Sequence, residues 1–252
     1  MKTQFKYAFL TGLYTRGVVF AIIVIMNLVF IILGSLGWLP LAGRITAVSL
    51  GGVAIAAMMT INIISDVGVL RRMFSAPGAY LYALTPAPRK HILLASVITV
   101  MVMDLTTMAV VIIGEVWQAI ILAGDSIWRT VLDAINANPS VILYGIWGIL
   151  LSIMEYLVLI LLILFFITVM KSIFYKKPGG WILNILFVLG VIYVLNLLQI
   201  VLAPFGEISR YGLFFTVSID GVGVALYILL RFIEAAALFI ITSRLMERKM
   251  NI

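Results

Sequence analysis

Six apolar stretches dominate this chain and fix most of what it can fold into: Gly17–Leu39, Ile45–Ser65, Ile92–Ala123, Ser140–Met170, Trp181–Ala203 and Val222–Ser243. A helix rising about 1.5 Å per residue crosses a hydrocarbon core of about 30 Å with about 20 residues. Each stretch reaches that length. Lipid offers no hydrogen bonds, so a crossing segment must satisfy its backbone internally, and for single apolar runs of this kind that means helix. The expected fold is therefore all-α: one polytopic membrane domain over residues 1–252, with six transmembrane helices. The third and fourth stretches exceed a perpendicular crossing and must tilt, break or project.

The remaining composition agrees. Of 252 residues, 64% are hydrophobic and 11% charged, against about 25% charged in a soluble domain. The first apolar run is longer than the roughly 7–15 residues of a signal-peptide core, so it reads as a retained span. Without cysteine there is neither a disulfide nor a thiolate metal site.

The net charge of +7 could point to nucleic acid, but its distribution points to a membrane. Six crossings place both termini on one side. The segments on that side hold Lys2, Lys6, Arg16, Arg71, Arg72, Arg89, Lys90, Lys171, Lys176, Lys177, Arg244, Arg248 and Lys249. The opposite segments hold Arg44, Arg129 and Arg210, beside Asp125, Asp133, Glu207 and Asp220. Lysine and arginine mark the cytoplasmic side, so both termini are expected in the cytoplasm of a multi-pass plasma-membrane protein. The cations then form a collar at the inner leaflet of the lipid bilayer, and no nucleic acid is required. Trp38, Trp117 and Trp128 fit the outer interface and Trp181 the inner one. Gly124–Pro139 has room for a short interfacial helix. The Ala203–Gly221 segment, with Pro204, Gly206 and Gly212, reads as a loop able to dip into the membrane.

Five ionisable residues interrupt the apolar stretches: Asp104, Glu115, Glu155, Arg231 and Glu234. Each costs about 2.5–3.5 kcal/mol at a helix centre on insertion scales, so such groups face protein or water and pair with one another. Arg231 and Glu234, three apart, share a helix face and read first as an internal ion pair. Asp104 and Glu155 are open to two readings, helix-to-helix hydrogen bonding or proton coupling. Glu155 follows Gly148 and Ser152 at helical spacing, a face suited to packing on another helix; Glu115 reads as interfacial. Gly52, Ala56 and Thr60 form a small-residue stripe, expected to pack within the chain rather than between copies. Asn184, Asn196 and Gln199 place polar contacts on the fifth span. Catalytic signatures are absent: His91 is the only histidine, and no GxxxxGK[ST] phosphate loop occurs.

The connection between the second and third spans has a different character. Val67, Leu70, Met73 and Phe74 approximate an apolar helical face, with Arg71, Arg72 and Ser75 elsewhere around the wheel. Pro77-Gly78 breaks that helix, Tyr80-Leu81-Tyr82-Ala83-Leu84 follows, and Thr85-Pro86-Ala87-Pro88 leads into Arg89-Lys90-His91. On composition alone this is an amphipathic element resting on anionic headgroups.

The run from Arg72 to Leu94 also resembles the cytoplasmic segment of bacterial ABC-2 type transporter permeases, where a short helix and a tyrosine-, leucine- and proline-containing stretch with a basic pair precede the third span. The ending Glu247-Arg248-Lys249-Met250-Asn251-Ile252 is similar to the basic termini of those permeases. The resemblance implies a cytoplasmic coupling helix that receives the stroke of a separate ABC ATP-binding subunit, with Leu70, Arg71, Arg72, Met73, Phe74 and Ser75 as the coupling residues. It further implies a second permease copy, identical or not, with ATP and Mg bound by the partner subunit and no cofactor or catalytic residue in this chain. The function so implied is export of an amphipathic peptide or lipid-like compound. The alternatives are a self-contained secondary transporter or channel using Asp104, Glu155 and the Arg231/Glu234 pair, and a membrane scaffold or immunity protein that transports nothing.

Overall fold

A computed structural model of the chain describes residues 2–72, 89–123, 129, 132–133, 135–137, 140–173, 180–202, 208–211, 215–218 and 221–249. Six long helices account for most of them: α1 (Lys2–Ser35), α2 (Leu41–Arg72), α3 (Arg89–Ala123), α4 (Ser140–Ser172), α5 (Gly180–Leu202) and α6 (Gly221–Lys249). Among the described residues, five helices (α1, α2, α3, α4 and α6) are long and apolar enough to cross a membrane, and α5 shows an apolar stretch over Trp181–Val194. The chain is thus a multi-pass membrane protein by the length and composition of its helices.

Three features differ from the sequence expectation. The first helix does not wait for the apolar run at Gly17 but starts at Lys2, so the basic N-terminal segment and the span form one rod. It stops at Ser35 rather than Leu39, because Gly37 takes a left-handed φ of 68°. Gly37 N donates to Gly34 O and Trp38 N to Leu33 O, both at 3.0 Å. This pairing satisfies the last carbonyls of the helix and turns the chain. Pro40, whose fixed φ suits a helix start, then leads into α2 at Leu41, ahead of the expected Ile45.

The second difference is that α2 runs unbroken past Ser65 to Arg72. Val67 and Leu70 therefore belong to the second long helix and not to a separate element. Met73, Phe74 and Ser75 lie outside the described residues, so the expected coupling helix has only its first residues, on α2, on view.

The third is that the fold is not purely helical. β1 (Ile208–Tyr211) and β2 (Phe215–Ser218) form an antiparallel hairpin, with Ile208 opposite Ser218 and Tyr211 opposite Phe215. The segments Ile-Ser-Arg-Tyr and Phe-Thr-Val-Ser are rich in the β-branched and aromatic residues that favour strands. These strands lie within the 203–221 connection. In the 124–139 connection, Arg129, Leu132, Asp133 and residues 135–137 are helical, in line with a short helix there.

The chain divides into two compact units. The first comprises Met1–Val69 and Leu94–Pro139, and is built from α1 with most of α2 and α3. Ile23, Ala54, Met58 and Val111 form its core, and Val19, Phe20, Ile55 and Met108 pack around them. Close approaches define its directions. A Cβ on Gly12 would meet Met103, and one on Gly34 would meet Leu122, so α1 runs parallel to α3. α2 runs antiparallel to both. The second unit comprises Leu70–Leu93 and Ser140–Ile252. There α4 packs along α6, with β2 against both. Leu151, Val224 and Tyr227 are the buried contact, flanked by Trp147 and Ile228.

The small-residue stripe is a correction. Gly52, Ala56 and Thr60 are exposed, and a Cβ added at Gly52 would meet nothing. Rotation by one residue explains this: α2 packs through Ala47, Gly51, Ala54, Met58 and Asn62, a series spaced by three and four along its length.

Candidate functional sites: two buried ion networks

The first unit carries a column of polar groups on its inward helix faces. At one level the Arg16 guanidinium, on α1, pairs through Nη2 with Asp66 Oδ1 on α2 and through Nη1 with Asp104 Oδ1 on α3. All three residues are at most 1% exposed. Further along, Asn62 Nδ2 donates to Thr107 Oγ1 at 3.1 Å. Beyond the apolar core, Asn27 and Glu115 are hydrogen-bonded side chain to side chain. The Glu115 carboxylate lies where a Cβ on Gly51 would be, so glycine is required for that approach. Gln118 Nε2 donates to the Ala47 carbonyl at 2.9 Å. Arg44 closes the column, its Nε donating to Leu39 O at 3.1 Å and Nη1 to Leu122 O at 3.4 Å.

Two residues of this column correct the sequence reading. Arg16 belongs not to the exposed collar but to the interior, where an unpaired cation would cost several kcal/mol. Asp66 lies one residue beyond the second apolar stretch, Ile45–Ser65, and becomes an interior charge because α2 continues to Arg72. A signal for it existed: Asn62 and Asp66 are four apart on one helix face, as are Gly12 and Arg16. Glu115, read as interfacial, is held between α1 and α2.

The second unit holds the other network. Arg231, on α6, donates from Nη1 to Glu234 Oε2 at 2.5 Å. It reaches Glu155 Oε1 on α4 from Nε at 3.0 Å and from Nη2 at 2.7 Å. The Tyr227 hydroxyl donates to the same Glu155 oxygen and accepts from Arg231 Nη2 at 2.8 Å. The guanidinium carbon also lies 5.1 Å from the Tyr227 ring centroid, within cation–π range. The expected Arg231–Glu234 pair is present, but it is half of the arrangement. Tyr227 was missed, although its place four residues before Arg231 puts it on the same face. Glu155 faces α6 because Leu151, one turn earlier, packs on Val224 and Tyr227.

The ion pairs on view share a pattern: among the described residues, each network sets one guanidinium against two carboxylates. Their members sit at various depths along their helices: Asp104 is fourteen residues inside Lys90–Leu122, about 21 Å of helix rise. Arg16 opens the apolar stretch Arg16–Ser35, and Asp66 lies five residues from the end of Leu41–Arg71, about 7 Å of helix rise. Glu155 is ten residues inside Gly145–Ser172 and Glu234 ten inside Val224–Glu247, about 15 Å from the nearer end.

Of the residues assigned to coupling, Leu70 is fully buried and Arg71 exposed. The Arg72 side chain and Met73, Phe74 and Ser75 lie outside the described residues. Lys90 and His91, at the start of α3, are exposed. On α5, Asn184 is buried and donates to the Phe166 carbonyl of α4 at 3.2 Å; the side chains of Asn196 and Gln199 lie outside the described residues. Among the described residues no group of three or more His, Cys, Asp or Glu is placed to hold a metal ion. Comparison with known proteins finds no matching family model, curated protein or solved structure.

Proposed function

We propose that the chain is the transmembrane subunit of an ATP-driven exporter of the ABC-2 type, with six membrane spans and both termini in the cytoplasm. One observation carries the reading. α2 spans 32 residues, about 48 Å, well beyond the thickness of a hydrocarbon core, with Arg71 exposed in its last turn; Lys90 and His91 are exposed in the first turn of α3. The intervening segment is the one whose sequence resembles the coupling region of those permeases, and basic residues at both flanks favour its cytoplasmic placement. Because Leu70 is buried, the docking contact falls to Arg71 and the residues after it.

Under this reading the ABC ATP-binding subunit supplies ATP and Mg, the exporter contains a second permease copy, and the cargo is an amphipathic peptide or lipid-like compound. The buried networks then tie helices together so that the stroke moves them as units. A gene for an ATP-binding cassette protein beside the one for this chain is expected. Co-expression of the two should yield a complex that hydrolyses ATP, while this chain alone hydrolyses none.

The burial of Asp104, Glu234 and most of Glu155 within apolar helices favours a second reading, a secondary transporter using its intramembrane carboxylates. Ion-gradient-driven solute movement by the chain alone, without any ATPase, would establish that reading over the first.

A further inference from the structure

Charge and exposure part company near the basic ends of the first unit's helices. By sequence, Arg16 is the one charged residue of α1 between Leu10 and Ser35, Asp66 the one of α2 between Ile45 and Leu70, and Asp104 the one of α3 between Ile92 and Gly114. All three are buried in the same network. Hydropathy closes an apolar stretch at such residues wherever they point, which is why the first stretch is drawn from Gly17 and the second to Ser65. A bilayer responds to the outer surface of the helices, and inward charges leave that surface apolar.

The surface stays apolar past the network toward the basic ends. On α1, Leu13 and Leu10 are 48% and 51% exposed, three and six residues before Arg16. On α3, Ile98 and Leu94 are 45% and 40% exposed, six and ten residues before Asp104, about 9 and 15 Å of rise. Exposed charge begins on α3 only at Lys90, one turn beyond Leu94, and on α2 at Arg71, one turn beyond exposed Val67. Tyr14, 91% exposed, suits a boundary on this side of the network. Side chains lean toward a helix N-terminus, which carries its hydroxyl toward the headgroups while the ring stays in the apolar layer. From Leu10 to Ser35, α1 rises about 38 Å, within the roughly 40–45 Å of a bilayer with its interfaces.

We propose that phospholipid covers this face. Acyl chains of the leaflet at the basic ends lie against Leu13 of α1 and Ile98 of α3, and the headgroup boundary falls near Leu10 and Leu94. The occupant is lipid because the face continues, without an exposed charge, into the apolar face of the same helices at mid-span, where Ile25 is 60% exposed. α1 then enters the membrane about two turns before Gly17. The Arg16–Asp66–Asp104 network is enclosed by hydrocarbon rather than standing at the water's edge, so its charges have no hydration to exchange for their partners. The inference rests on the helices crossing a membrane and holds whether or not a separate ATPase drives the chain.

Single nitroxide labels test it on the full chain, which has no native cysteine, reconstituted in vesicles of phosphatidylcholine and phosphatidylglycerol. Leu13→Cys and Ile98→Cys are read against Ile25→Cys at mid-span and Lys90→Cys at the basic end. All four positions are exposed, so a label there displaces no core contact, and the unfolding temperature of each labelled variant checks this. Collisions with oxygen, which concentrates in hydrocarbon, and with a water-soluble nickel chelate report the surroundings. Both test labels should match Ile25→Cys, with frequent oxygen and rare nickel collisions, while Lys90→Cys shows the reverse. Nickel collisions at either test label as frequent as at Lys90→Cys would put the network at the water's edge and overturn the proposal. Shielding of either label from both reagents would mean that protein covers the face, and overturns it as well.

Discussion

Arg16 and Asp66, fifty residues apart in sequence, meet side chain to side chain in the interior of the first unit, each at most 1% exposed. With Asp104 they tie α1, α2 and α3 at one level. Breaking a buried pair from one side leaves an uncompensated charge, a loss of about 3–5 kcal/mol, whereas replacing all members by apolar residues of similar volume is often neutral. Arg16→Met should therefore lower the unfolding temperature in detergent sharply, and the triple variant Arg16→Met, Asp66→Leu, Asp104→Leu should recover most of it. A triple variant less stable than Arg16→Met alone would contradict this account of the cluster.

Gly51 and Gly52 are neighbours with opposite environments. A Cβ at Gly51 displaces the Glu115 carboxylate and with it the hydrogen bond to Asn27, while a Cβ at Gly52 meets nothing. Gly51→Ala should destabilise by about 1–2 kcal/mol, and Glu115→Ala should suppress that loss when the two are combined. Gly52→Ala should be neutral or stabilising by up to about 1 kcal/mol, the helix preference for alanine. Thermal unfolding of the four variants measures the difference.

In the second unit, Tyr227 and Glu155 join α6 to α4. Tyr227→Phe removes one donor to a carboxylate that still has two from Arg231, so the loss should be modest, about 1.5–3 kcal/mol for a charged hydrogen bond. Arg231→Leu strands two carboxylates and should cost more, about 3–5 kcal/mol. A double-mutant cycle of Tyr227→Phe with Glu155→Gln should show coupling between the two positions; additive losses would mean that the contact contributes nothing.

Since the chain has no cysteine, its orientation can be read from single introduced thiols. Trp38 and Lys90 are both exposed, one in the α1–α2 turn and the other at the start of α3. A membrane-impermeant maleimide should label Trp38→Cys in right-side-out vesicles and Lys90→Cys only in inverted ones. Labelling of both from the same side would refute the proposed topology.

Much of the fold could be read from hydropathy because lipid leaves an apolar segment little choice but helix. The helix ends were less legible. The extension of α1 to Lys2 and of α2 to Arg72 runs through charged residues that hydropathy takes for loop. Gly37 ended α1 through its positive φ, a backbone property that competes with the apolar pattern around it. The ion networks were half legible for a related reason. Arg231 and Glu234 are close in sequence and one helix wheel brings them together, whereas Glu155 reaches them from 76 residues away. Arg16 shows the limit most directly: at the edge of an apolar run it looked like a collar cation, and only the placement of Asp66 and Asp104 turned it inward. The Gly52 stripe was one residue out of phase, and small residues recur too often along α2 for spacing alone to choose between Gly51 and Gly52.

The central claim is that energy comes from a separate ATPase docked at the α2–α3 connection. The most direct test is ATP hydrolysis by the tagged chain purified from its native membranes, beside a variant carrying Arg71→Glu and Arg72→Glu. The account predicts vanadate-sensitive hydrolysis that co-elutes with the wild-type chain and falls at least tenfold in the variant, while the variant's unfolding temperature stays within a few degrees. Purified wild-type chain with no associated hydrolysis, or hydrolysis undiminished by the double charge reversal, would contradict it.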